Sequence, residues 1–121
     1  EATDGALTVF NGRAGLELPD CLRAGCAGMI PAPECADAQA RVFDLMAKGE
    51  EDAAEAEYRG ILPLIAFAMQ GVAMFLCYAK RVTAWRMGLD VIERPPALPP
   101  TSFGLDCAHR FATQLGPYPG A

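Results

Sequence analysis

Apolar and polar positions alternate between two regimes along this chain. Leu7-Thr8-Val9-Phe10 is a short apolar run of β-formers closed by the turn dipeptide Asn11-Gly12, and it reads as a buried strand. Leu16 to Leu22 follows, with Pro19 and Asp20 near its start, which suits a short helix ending at Gly25. Gly28-Met29-Ile30-Pro31-Ala32 is a second compact apolar run, again closed by proline. Strand, helix and strand within about 30 residues make one βαβ unit. Short strands without polar alternation predict a parallel sheet covered on both faces.

Beyond Pro33 the period becomes helical. Ala38, Val42, Leu45 and Met46 mark one face of a helix from Cys35 to Lys48, and Gly49 stands where a helix ends. Glu50 to Glu57 opens a second helix with acidic residues that favour its N-terminal dipole, and it runs through Tyr58 toward Phe67. Gly71 is a break. Val72 to Met87 predicts a third helix ended by Gly88. Glu93 to Pro100 holds four prolines and reads as a stiff connector, favoured over a polyproline ligand. Thr101-Ser102 can cap a last helix from Phe103 to Leu115. The order is β-α-β followed by four helices.

Ile61 to Ala79 carries 19 residues without a charge, long enough to raise a membrane span. Pro63, Gln70 and Gly71 interrupt it, and the neighbouring βαβ unit suits a soluble enzyme, so two core helices meeting near Gly71 are the favoured reading. No membrane partner is expected. Hydrophobic residues make up 52% of the 121, which excludes disorder by composition. The net charge of −5, with no basic stripe, excludes nucleic acid as an expected partner. Cys21, Cys26, Cys35, Cys77 and Cys107 are odd in number and irregular in spacing. They predict reduced, buried thiols of a cytoplasmic protein, and the single His109 cannot complete a zinc site with them.

In parallel α/β folds the chemistry gathers at the carboxyl ends of strands. Two such ends are present, Asn11-Gly12-Arg13 and Ile30-Pro31-Ala32. Glycine admits a ligand close to the backbone, and arginine can pair with a carboxylate. Neither end supplies a nucleophile or a general base. Lys80, His109 and the Glu50-Glu51-Asp52 run read as structural or solvated groups. Two strands cannot bury both faces of a parallel sheet, so the unit calls for further strands.

The ordered series then carries a resemblance. Phe10-Asn11-Gly12 is followed by a helix and by Arg23-Ala24-Gly25-Cys26-Ala27-Gly28-Met29-Ile30-Pro31-Ala32. Next come Ala47-Lys48-Gly49-Glu50, an Ala-rich helix into Ile61-Leu62-Pro63-Leu64, Ala79-Lys80, Met87-Gly88-Leu89 and Arg94-Pro95-Pro96-Ala97-Leu98-Pro99. From Leu7 to Leu115 this resembles the C-terminal portion of the dihydrodipicolinate synthase / N-acetylneuraminate lyase superfamily. The resemblance implies the last two strands of a (β/α)8 TIM barrel and a C-terminal helical region of about four helices. Residues 1–48 would hold strands seven and eight with their helices, and 49–121 the helical region.

It also implies a class I lyase that forms a Schiff base between a barrel lysine and pyruvate or a related 2-oxo acid. Reactions of the family are aldol cleavage or condensation and dehydration. The lysine and the proton-relaying tyrosine would lie upstream of Glu1, which makes this chain a fragment inactive alone, and Lys80 matches a helix lysine instead. No cofactor or metal is implied, and a homo-oligomer, tetramer or dimer, is. Carried over from the resemblance are Gly12, at the mouth of the seventh strand, and Ile30, whose backbone on the eighth lines the pocket; Asn11 and Arg13 join them as substrate-side candidates from the strand end itself. Synthases proper usually have an acidic residue where Arg13 stands and a small hydroxylated one where Pro31 stands. Both departures point away from lysine biosynthesis and toward a 2-keto-3-deoxy sugar acid dehydratase or aldolase. The alternatives are the synthase itself and a non-catalytic helical oligomerisation module. The length fits the last two-fifths of a roughly 300-residue enzyme, since whole barrels need about 250 residues before additions.

Overall fold

A computed structural model describes residues 4–120. Strand β1 (Phe10–Asn11) pairs in parallel with β2 (Gly28–Met29), Phe10 opposite Gly28 and Asn11 opposite Met29. Between them lies α1 (Leu18–Arg23). Four helices follow: α2 (Ala36–Ala47), α3 (Glu51–Ala68), α4 (Val72–Arg86) and α5 (Ser102–Leu115). The βαβ unit and the order of helices match the expectation from periodicity.

The strands are shorter and less covered than their apolar runs predict. Ala27 N–H to Val9 O at 2.9 Å and Ile30 N–H to Asn11 O at 2.8 Å extend the ladder by one bond at each end. Leu7 and Thr8 make no ladder, and Pro31 cannot donate one. Leu7, Val9, Phe10 and Ile30 are all exposed, contrary to a sheet covered on both faces. Two strands present too little surface to bury their own faces, and the helices here cover only part of it.

The main core lies among the helices instead. Cys35 and Ala38 meet Ile61, Leu64 and Ile65 of α3, Tyr78 and Val82 of α4, and Ala108 and Phe111 of α5. A smaller cluster of Leu18, Val42 and Ala54 joins α1 to α2 and α3. Pro63 sits inside α3 on an exposed face, where the carbonyl it leaves without a backbone donor can be hydrated. In α4 the turns Phe75–Ala79 widen to π-helix. Carbonyls in this stretch take side-chain donors: Thr83 Oγ1 donates to Ala79 O at 3.0 Å, and the Arg81 guanidinium to Cys77 O. Thr101 caps α5 as expected, its hydroxyl accepting from Gly104 N–H at 3.0 Å.

Among the described residues no single helix is long and apolar enough to cross a membrane, and α3 and α4 are bent by 111° at their junction. All five thiols are free. Only Cys35 and Cys77 are buried; Cys21, Cys26 and Cys107 are half-buried, a correction to the expectation of five buried thiols. Cys21 and Cys26 flank the end of the short α1, and Cys107 sits between the buried and open faces of α5.

Candidate functional site

The carboxyl ends of β1 and β2 lie side by side because Ile30 N–H is bonded to Asn11 O. The Asn11 side chain turns back on the fold: its Oδ1 accepts from Gly12 N–H at 2.8 Å and its Nδ2 meets Cys21 Sγ at 2.7 Å. Asn11 therefore shapes the turn. Gly12 opens on free space, with nothing within 4 Å of a Cβ placed there. Arg13 and Ala14 then take left-handed backbone angles, φ 58° and 53°, which swing the chain over the strand ends.

A cleft of about 380 Å³ forms at this mouth. Arg13, Ile30 and Pro31 line it from the strand side, and Met69, Val72 and Phe75 from the α3–α4 corner. Of the four positions singled out in the sequence, Arg13 and Ile30 face one cleft, while Asn11 and Gly12 build the turn behind it. The corner residues were missed. Gly71 signalled a break there, but a break does not say where the corner folds.

Arg13 is not a free cation. Its guanidinium lies 2.5 Å from Glu17 Oε1, one turn on, while the side chain stays 64% exposed. The cleft lining contains no nucleophile and no acid. Glu34 follows the cleft-lining Ala32 by two residues and is fully buried. Neither of its carboxyl oxygens has a hydrogen-bond partner among the described residues, and burial pushes its pKa up, which favours the protonated acid. Cys35 beside it is pushed up to about 12, chiefly by burial, and is an inert thiol.

The other titratable candidates lie elsewhere. Lys80 Nζ donates to Ile92 O at 2.6 Å and pairs with Glu93 at 3.7 Å, outside this cleft. His109 is on the surface, edge-on to Trp85 with ring centres 5.5 Å apart. Among the described residues no group of three or more His, Cys, Asp or Glu could hold a metal ion.

No protein-family model and no curated protein sequence matches the chain. A solved structure does: dihydrodipicolinate synthase from Rhodopseudomonas palustris, with a TM-score of 0.82 and 24% identity. The likeness covers 93% of this chain and 38% of that one, so the chain spans well under half the length of the enzyme it resembles. It establishes the fold, that of the enzyme's C-terminal region.

Proposed function

We propose that this chain is the C-terminal part of a lysine-imine lyase of the dihydrodipicolinate synthase / N-acetylneuraminate lyase superfamily, acting on a 2-oxo acid. The observation that carries the reading is the fold likeness over 93% of the chain, in which a two-stranded parallel sheet stands where a barrel enzyme has more strands. Exposed Leu7, Val9, Phe10 and Ile30 support it, since apolar side chains of this size around a sheet ask for a covering layer. Residues 1–48 would then complete a TIM barrel and 49–121 pack against it, in a cytoplasmic homo-oligomer.

Asn11, Gly12, Arg13 and Ile30 form the edge of the substrate mouth that this chain contributes. The electrophile-forming lysine comes from the rest of the barrel. Lys80 is a poor substitute, because an imine-forming amine needs a desolvated pocket to lose its proton, and Lys80 is half-exposed and paired with Glu93. The chain's own part in the reaction is to wall the mouth and keep the strand ends in register.

Borohydride trapping with pyruvate, applied to the gene product that carries this chain, tests the reading. Covalent addition of the reduced pyruvate unit at one strand-end lysine is expected. Absence of any trapped adduct, with the protein folded, would overturn it. A helical oligomerisation module, by contrast, predicts that the 121-residue chain alone is monodisperse, where the lyase reading predicts self-association through the bare sheet.

A further inference from the structure

Cys21 and Cys26 bracket the end of α1, and the backbone between them closes in a defined way. Cys26 N–H donates to Cys21 O at 3.0 Å and Gly25 N–H to Leu22 O at 3.0 Å, with Gly25 at φ 89°. This nested pair of bonds is the glycine cap of a helix, in which the side chains at the two ends of the outer bond commonly meet. Here both of those residues are cysteines. Backbone bond lengths on either side of the Cys26–Cys21 hydrogen bond keep the two Cα atoms within about 7 Å, the limit for a disulfide without backbone movement. Cys26 is held from its other side as well, because the next residue, Ala27, donates its N–H to Val9 O at 2.9 Å. The meeting of the two side chains depends on one turn of backbone and on no open face of the sheet.

Both thiols are free and half-buried, whereas Cys35 and Cys77 are buried. Cys21 Sγ rests 2.7 Å from Asn11 Nδ2, and a turn about the Cys21 Cα–Cβ bond exchanges that contact for Cys26. We propose that Cys21 and Cys26 form a reversible dithiol–disulfide site whose oxidant is hydrogen peroxide. One thiolate attacks a peroxide oxygen and the O–O bond breaks; the departing hydroxide takes a proton and leaves as water, with a sulfenic acid left on the sulfur. The second thiolate attacks that sulfur, the S–S bond forms, the S–O bond breaks, and a second water leaves. Each sulfur gives up one electron, the peroxide takes both, and the two thiol protons end in the waters. A dithiol reductant reverses the reaction by exchange. The site stands independently of the lyase reading, since it needs only residues 21–26.

The test takes the gene product that carries this chain, reduced and with its fold confirmed by circular dichroism, through hydrogen peroxide and then iodoacetamide. Trypsin cuts after Arg23 and a glutamyl protease after Glu17 and Glu34, which puts the two cysteines on separate peptides, 18–23 and 24–34. Mass spectrometry should find these two peptides joined and lighter by two hydrogens than the reduced pair. Alkylation of both cysteines should be lost together and restored by dithiothreitol. Cys21→Ser and Cys26→Ser should each abolish the joined pair and leave the remaining cysteine as a sulfenic acid that dimedone captures. Both peptides still alkylated after peroxide, either cysteine carried to a sulfinic acid without a link, or either joined to a different thiol overturns the proposal.

Discussion

The Arg86 guanidinium grips both carboxylate oxygens of Asp37, at 2.8 and 2.7 Å, with its side chain wholly out of solvent. The same group donates to Glu34 O and to Gly116 O, both at 2.8 Å, and lies 4.7 Å from the centre of the Tyr118 ring. The start of α2, the end of α4 and the end of α5 thus meet at one cation. Removing Arg86 leaves Asp37 with only the exposed Arg41 at 3.5 Å, and removing Asp37 leaves Arg86 buried without its carboxylate, so Arg86→Ala and Asp37→Ala should each cost about 3–5 kcal/mol. Urea denaturation midpoints check this. A loss under about 1 kcal/mol would show that the pair behaves like an exposed one.

Two carboxyls, Asp37 of α2 and the buried Glu34 of its entry turn, should drive stability in opposite directions with pH. The Arg86 hydrogen bonds hold Asp37 below the usual carboxylate range. Its contribution is complete above that range and is lost as pH falls through the folded-state value. Burial raises Glu34, so its contribution is complete below the usual range and is lost as pH climbs toward the folded-state value. Asp37→Asn should flatten the acid limb of a stability profile, and Glu34→Gln the limb just above it. Urea titrations between about pH 3 and about pH 8 separate the two, since ordinary carboxyls titrate near 4.

Gly15 is closed to any side chain. Its φ is +88°, and a Cβ there would lie 2.2 Å from Gln39 Nε2, the amide that holds Ala14 O. Gly15→Ala should therefore destabilise by about 1–3 kcal/mol through backbone strain and the displaced hydrogen bond. Gly25, also at positive φ but with open space around it, should tolerate the same change with only the backbone cost. A comparison of melting temperatures distinguishes the two.

The start of α5 hangs on two hydroxyls. Thr101 Oγ1 caps Gly104 N–H, and Tyr78 OH accepts from Thr101 N–H at 3.1 Å. Thr101→Ala should cost about 1 kcal/mol, the usual value of a lost cap. Tyr78→Phe should cost a similar amount, by leaving Thr101 N–H without its acceptor. In a double-mutant cycle the two losses should be smaller together than their sum, because they serve one turn.

On the proposed lyase reading, Arg13→Ala in the gene product that carries this chain should change KM for a 2-oxo acid by less than about threefold, since exposed ion pairs carry little and this arginine faces Glu17. Steady-state kinetics decide it. A KM increase of about tenfold or more would mean that Arg13 leaves Glu17 to hold the substrate.

Much of the fold was legible in the chain. The spacing of Ala38, Val42, Leu45 and Met46, the glycine stops at Gly49 and Gly88, and the Thr101 cap mark elements that local geometry alone sets. Strand lengths were not legible: Leu7 to Phe10 has strand composition, but the ladder needs a partner at each position, and only residues 9–11 find one. At the site, Arg13 and Ile30 were visible as strand-end residues, while Met69, Val72 and Phe75 look like core positions of two helices.

Periodicity, capping and turn chemistry act over a few neighbouring residues, and for that reason the sequence by itself determined the βαβ unit and the helix order. Which groups are spent and which stay open was decided only in three dimensions. Arg86 reaches Asp37 across 49 residues, the α3–α4 corner bends over β1 and β2, and Arg13 turns to Glu17 through a left-handed turn. A hydrogen bond or ion pair satisfies each group only once, so the identity of a strand-end residue sets what it could bind, and its partners in the fold set what it has left to offer.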